Sequence, residues 1–134
     1  MSYLVDTDWV AEYLKGRDPA LSTIPRLADQ GFAISIITFG EIYEGIYYGR
    51  DAVRHERGFR QFLRGVDILP LTRSVMKRFA RVRGELRQRG QIIADPDILI
   101  AATALERDLT LLTYNRSHFG RIAGLHLYQE QPAN

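Results

Sequence analysis

Tyr3-Leu4-Val5-Asp6-Thr7-Asp8 sets three apolar residues against a carboxylate near the start of the chain. A short apolar run of this kind reads as a buried strand. The acids behind it stand where an open parallel sheet gathers its ligands, just outside the carboxyl end of a strand. The same grammar recurs downstream. Phe32-Ala33-Ile34-Ser35-Ile36 reads as a second strand, and Thr38-Phe39-Gly40-Glu41 behind it fits a capping box with Thr38 as N-cap and Glu41 at N3. Val66 to Leu71 and Thr110 to Thr113 read as two more strands, the latter just ahead of Asn115, and Leu125 to Tyr128 as a last one.

Helices fill the intervals. Trp9 to Lys15, capped by Thr7 or Asp8, stops at Gly16. Asp18-Pro19 starts a helix by placing an N-cap before a proline, and it runs to about Gln30, with Pro25 bending it or delaying its start. The helix opened by Thr38 carries Ile42, Gly45 and Ile46 and ends near Gly49, and residues 51–65 put Phe59, Phe62 and Leu63 on one stripe. Thr72 to Arg89 repeats Val75, Phe79, Val82 and Leu86 every three or four residues. Asp95-Pro96 opens a helix that is apolar nearly all round from Ile98 to Leu105, which predicts burial on most sides. Strands alternating with helices predict an α/β domain over residues 1–134, with a short, mostly parallel sheet of four or five strands and helices on both faces. The polar tail, Gln129 to Asn134, reads as loose.

Composition narrows the chemistry. The 134 residues are 46% hydrophobic and 25% charged, a globular balance that excludes a disordered chain. Cysteine is absent, which excludes a disulfide scaffold, a thiolate zinc site and a cysteine nucleophile. No apolar run approaches the ~20 residues of a membrane span, and the N-terminus lacks the features of a signal peptide, so a cytoplasmic protein with no membrane partner is expected. The net charge of +2 hides a polarity: residues 50–89 hold eleven Arg and Lys77 against four acids, whereas residues 1–49 hold three basic residues against seven acids. The planar fork of Arg matches phosphate oxygens, so the basic middle suits a polyanion. Its plainer reading is a solvated helical surface laced with Glu/Arg pairs.

A parallel sheet would bring Asp6, Glu41, Asp97 and Asn115 to one edge. That is an oxygen-only donor set, suited to Mg²⁺ or Mn²⁺ and not to Zn²⁺. Two like charges about 4 Å apart repel by about 4 kcal/mol at an effective dielectric near 20, so clustered carboxylates take up protons or bind a cation. Each residue also has a structural reading. Glu41 closes the capping box, Asp6 caps the next helix, Asp95 is an N-cap before Pro96, Asp97 complements the helix dipole and Asn115 is a turn residue. Asp8 reads as a helix-start acid. Glu44, one turn beyond Glu41, either reaches the same rim or is solvated. His55, His118 and His126 show no metal-ligand spacing, and neither a Gly-rich phosphate loop nor a Gly-x-Ser-x-Gly elbow is present.

Four motifs follow in order: Leu4-Val5-Asp6-Thr7-Asp8; Ser35-x-x-Thr38-x-x-Glu41-x-x-x-Gly45; Pro96-Asp97-Ile98-Leu99-Ile100-Ala101-Ala102-Thr103-Ala104-Leu105; and Leu112-Thr113-Tyr114-Asn115-x-x-x-Phe119. Together they resemble the PIN-domain ribonucleases, and among these the VapC-type toxins of type II toxin–antitoxin pairs. The resemblance spans nearly the whole chain. It implies a metal-dependent endoribonuclease with Asp6, Glu41 and Asp97 as an acidic triad and Asn115 in a fourth acidic position, where many relatives carry Asp. It implies Mg²⁺, with Mn²⁺ as a substitute, held chiefly by Asp6 and Asp97. Thr7, Thr113, Glu44 and Asp95 would stand around them, and Tyr114 takes a place where relatives often carry a basic residue. It further implies an RNA substrate of the tRNA or ribosomal RNA class, a homodimer, and a cognate antitoxin: a small DNA-binding protein of the VapB type. Alternatives are an RNA-processing nuclease of the same family without an antitoxin, a non-catalytic RNA-binding module, and a haloacid-dehalogenase-like phosphatase using Asp6 as nucleophile. Against the last, neither Lys15 nor Lys77 stands at a strand end.

Overall fold

The computed structural model describes residues 2–129. The elements run β1 (Tyr3–Val5), α1 (Thr7–Leu14), α2 (Ala20–Leu27), β2 (Phe32–Ser35), α3 (Ile36–Tyr48), α4 (Ala52–Phe62), β3 (Asp67–Leu69), α5 (Arg73–Gln88), α6 (Asp95–Glu106), β4 (Thr110–Leu112) and α7 (Arg116–Phe119). The four strands form one sheet in the order β3-β2-β1-β4, every neighbouring pair parallel. Strand order advances from β1 through β2 to β3 and then returns to the other side of β1. That reversal is a topological switch point, and in open parallel sheets ligands bind in the crevice outside the carboxyl ends of the strands there.

Side chains alternate across the sheet, as the period of a strand requires. Leu4, Ala33 and Leu111 pack with Val82 and Leu86 of α5 and Ile98 and Ala101 of α6. Val5, Ile34 and Leu112 pack on the opposite face with Val10 of α1, Ile24 of α2, Ile42 of α3 and Phe59 of α4. Helices therefore cover both faces, and α6 is buried on most sides as its composition predicts. Gly16, the predicted stop of α1, and Gly90, just beyond α5, take φ of 72° and 67°, a left-handed turn that glycine adopts without steric cost.

Several local expectations need correction. Helix α3 starts two residues before the predicted capping box: Ser35, still extended, is its N-cap and accepts from the Ile37 N–H at 3.1 Å. Thr38 and Glu41 therefore cap nothing. Helix α1 is capped by Asp6, not by Thr7 or Asp8. Ala94 stands at the N-cap of α6 with no side-chain bond, so Asp95 is a first-turn residue and not a cap. Pro19 is itself the N-cap of α2, Asp18 reaches past it to the Ser22 N–H at 3.0 Å, and Pro25 lies inside the helix, which tightens into a 3₁₀ turn at Ala28–Gln30. The stretch Leu125 to Tyr128 is not a strand; it contributes a single parallel bridge, Leu111 to Leu127. Helix α7, at Arg116–Phe119, has no counterpart among the expected elements. Residues 130–134 of the tail read as loose lie outside the described residues.

Candidate active site

Asp6 is the anchor. Strand β1 ends at Val5 opposite Leu112, and the Asp6 N–H donates to the Leu112 carbonyl at 2.9 Å, so the residue is locked onto the edge of β4. Its side chain is only 5% exposed. Oδ1 accepts from the Thr7 N–H at 2.8 Å, and Oδ2 accepts from the Thr113 hydroxyl at 2.7 Å. Thr113 in turn accepts from the Asn115 N–H at 3.0 Å, which ties the loop after β4 to the loop after β1.

Two further aspartates share this space. Asp8, in the first turn of α1, accepts through Oδ2 from the Tyr114 N–H at 3.0 Å, and its Oδ1 is buried with no hydrogen-bond partner. Asp97 enters from the first turn of α6. Burial pushes the Asp6 carboxyl up to about 7; the Asp8 charge and, more weakly, the Asp97 charge add to this, against the bonds from Thr113 and Thr7. Burial also raises Asp8, with Asp97 adding to it. Asp97 is raised by burial and partly relieved by His118, whose Nδ1 lies 3.9 Å from Asp97 Oδ2. The three carboxylates thus act as one electrostatic unit.

Glu41 joins through Thr7. The Thr7 hydroxyl donates to Glu41 Oε1 at 2.6 Å, and its oxygen lies 3.0 Å from the Thr38 hydroxyl, linking the first turns of α1 and α3. Asn115 joins through Thr113 and through its Nδ2, 2.9 Å from His118 Nδ1.

Residues 3–125 match the family model described as the PIN domain. The chain belongs to the PIN-domain family. This PIN domain is 32% identical over 130 residues to Ribonuclease VapC1 of Methanocaldococcus jannaschii, a match covering 95% of this chain and 87% of that one. It is 30% identical over 129 residues to Ribonuclease VapC2 of Rickettsia felis, covering 95% and 96%. Its fold superposes with a TM-score of 0.90 and 28% identity on a chain from the crystal structure of Rickettsia felis VapBC2 bound to a DNA fragment from their promoter, covering 98% of this chain and 100% of that one.

Within the PIN domain, the residues singled out from sequence fall into three groups. Asp6, Asp97, Glu41, Asn115, Thr7 and Thr113 come together at the switch point through the contacts above. Asp95 turns away and pairs with Arg83 Nε at 3.0 Å. Glu44 lines a separate shallow cleft with Phe39, Tyr43 and Tyr47, and no hydrogen bond joins it to the other acids among the described residues. Asp8, read from sequence as a helix-start acid, belongs to the site as well; the signal for it is a second carboxylate two residues after the acid that ends β1. His118 has no such signal, because only the short helix α7 carries it to Asp97.

The donor chemistry fits a hard divalent cation. All the converging carboxylates offer oxygen, one buried oxygen of Asp8 has no partner, and burial with mutual repulsion pushes Asp6 up to about 7. Among the described residues no three acidic or histidine side chains stand close enough to share one ion directly. The fit is therefore to an ion that takes one or two carboxylates itself and reaches the rest through water, as Mg²⁺ commonly does. No helix among the described residues is long and apolar enough to cross a membrane.

Proposed function

We propose that this PIN domain is a magnesium-dependent endoribonuclease and the toxin of a toxin–antitoxin pair, cleaving RNA of the tRNA or ribosomal RNA class. The observation that carries the reading is the carboxylate trio Asp6, Asp8 and Asp97 at the switch point, with Asp6 raised to about 7. Relatives named as VapC ribonucleases over nearly the whole chain, and a neighbouring fold found in a VapBC complex, support it. They also support an antitoxin of the VapB type as partner; a homodimeric toxin rests on the family resemblance alone. A basic side chain of the antitoxin, inserted among the carboxylates, would form charge-assisted bonds and block the crevice.

Asp6 and Asp97 would hold Mg²⁺, with Mn²⁺ a workable substitute, and Glu41 and Asn115 would act through water. When bound, the ion lowers the pKa of water and stabilises charge on a phosphoryl oxygen. The chain does the rest by fixing geometry. Thr113 and the Thr7 N–H hold both oxygens of Asp6 in one orientation. The Tyr114 N–H holds Asp8 at the back of the pocket. Thr7 tethers Glu41 by Oε1 and leaves Oε2 open to accept the proton of the attacking water as its oxygen bonds to phosphorus and the bond to the leaving strand breaks. Asn115 keeps an oxygen in the fourth position while removing one negative charge from an already crowded site. Asp6 as a phosphatase nucleophile is disfavoured, because both of its oxygens are engaged and the group is buried.

The test is cleavage of tRNA and ribosomal RNA by the purified protein with Mg²⁺ and with chelator, beside Asp97→Asn, and growth on induction with and without the neighbouring gene. Discrete cuts that vanish with chelator and in Asp97→Asn, and growth arrest relieved by the neighbouring gene, are expected. Cleavage indifferent to both overturns the assignment.

A further inference from the structure

The basic middle of the sequence is unused by the acidic crevice. In the fold it divides. Arg57 and Arg60 lie on α4 and Arg64 just beyond it, exposed and lining one shallow cleft, whereas Arg54 borders a separate cleft with α1 residues. None of the four makes a side-chain hydrogen bond or ion pair among the described residues, whereas Arg17, Arg78 and Arg83 are paired with acids. From Arg57 to Arg64 the stripe is about 10 Å long at 1.5 Å per residue.

Beside the stripe runs an aromatic ladder on α3. Phe39 and Tyr43 have ring centroids 4.9 Å apart, and Tyr43 and Tyr47 5.4 Å. Tyr47 is 68% exposed and Tyr48 89%, an unusual amount of open aromatic surface on one helix end. Two shallow clefts meet here. One is lined by the ladder with Glu44 and Glu56, the other by Val53, Arg57, Arg60 and Arg64, and Glu56 belongs to both. Tyr43 donates to Glu56 at 2.9 Å, so one of the two carboxylates on the path is engaged.

We propose that the arginine stripe of α4 and the tyrosine ladder of α3 form a track for single-stranded RNA, with Arg57, Arg60 and Arg64 on phosphates and Tyr47 stacking a base. A positive line beside open π-faces is how proteins bind single strands without reading sequence. The unpaired guanidinium charge favours a polyanion over the face of another protein, and the choice of RNA rests on the nuclease reading. Charge alone does not select this place: Arg73, Lys77 and Arg81 form a second exposed stripe on α5, on the opposite side of the sheet and without an aromatic ladder.

The experiment is anisotropy of a fluorescein-labelled single-stranded RNA 20-mer with the full chain in chelator, over a salt series, so that binding is read without cleavage. Replacing Arg57, Arg60 and Arg64 together by Gln is expected to weaken binding at least about 30-fold and to cut the slope of log K against log salt by about 2. Tyr47→Ala should weaken it about tenfold with the slope unchanged. Replacing Arg73, Lys77 and Arg81 by Gln, an equal loss of charge, should cost less than about threefold. An unchanged affinity and slope in the α4 triple variant overturns the track, as does an equal loss in the α5 control. So does a change in sedimentation of the α4 variant, without loss of RNA affinity, which would make this face a protein interface. The same RNA with Mg²⁺ separates the two claims. A wild type that cleaves while the α4 variant cleaves with the same kcat/KM sinks the track alone. A wild type that binds through these residues yet cleaves with neither Mg²⁺ nor Mn²⁺ sinks the nuclease reading and sustains the track.

Discussion

Asp6 is the residue most sharply exposed to test. Its carboxyl is raised from 3.8 to about 7 in the folded protein. Between those values the native state holds a proton that the unfolded chain has released, so stability falls as pH rises from about 4 through about 7 and levels off above. A carboxyl displaced this far changes stability by at most about 4 kcal/mol. In chelator, Tm should therefore fall between pH 5 and pH 8, and Asp6→Asn, which keeps an acceptor for the Thr7 N–H, should flatten that fall. A Tm of the wild type that rises across this range contradicts the burial argument. Asp8 shows what a sequence alone conceals. Its position two residues after Asp6 is plain, but its burial and its hold on Tyr114 depend on the loop after β4, which is more than a hundred residues away. Because it supports the candidate ligands, Asp8→Asn should weaken the Mg²⁺ concentration dependence of cleavage about 10- to 100-fold, as other outer supports of metal sites do. An unchanged Mg²⁺ titration would return Asp8 to a purely helical role.

At the scale of elements, β1, β2, α5 and α6 are legible because apolar period and flanking residues agree there. Boundaries are not. Thr38-x-x-Glu41 satisfies a capping box, but Ser35, another good N-cap three residues earlier, ends the buried strand β2 and takes the role. That shift frees Glu41 for the crevice. Ser35→Ala should cost about 1 kcal/mol and lower Tm, as loss of an N-cap does. Glu41→Ala should cost less than Ser35→Ala, since Glu41 caps nothing and Thr7 keeps the Thr38 hydroxyl beside it. A larger Tm loss in Glu41→Ala than in Ser35→Ala would reinstate the capping box. Asp95 reads in sequence as an N-cap, yet it is a first-turn residue of α6, and its partner Arg83 lies on the neighbouring helix α5, which no local pattern marks. That pair is solvent-exposed, so Arg83→Ala should change stability by less than about 1 kcal/mol in a denaturant titration.

At the scale of the molecule, parallel pairing joins what sequence distance separates. Asp6, Glu41, Asp97 and Asn115 meet because β1, β2 and β4 all point the same way and α6 enters beside them. This convergence can be anticipated from acids at strand ends. Its unevenness cannot: charge links Asp6, Asp8 and Asp97, while a hydroxyl tethers Glu41. The basic middle also looks like one patch in sequence, yet the sheet separates its α4 and α5 stripes onto opposite faces. The most direct measurement is calorimetric titration of Mg²⁺ into the RNA-free protein at pH 7, in buffers of different ionisation enthalpy. An Asp6 carboxyl raised to about 7 predicts saturable binding with release of protons, and a smaller release in Asp6→Asn. Binding without proton release, or no binding at millimolar Mg²⁺, would contradict the claim that these carboxylates form one charged pocket relieved by a divalent ion.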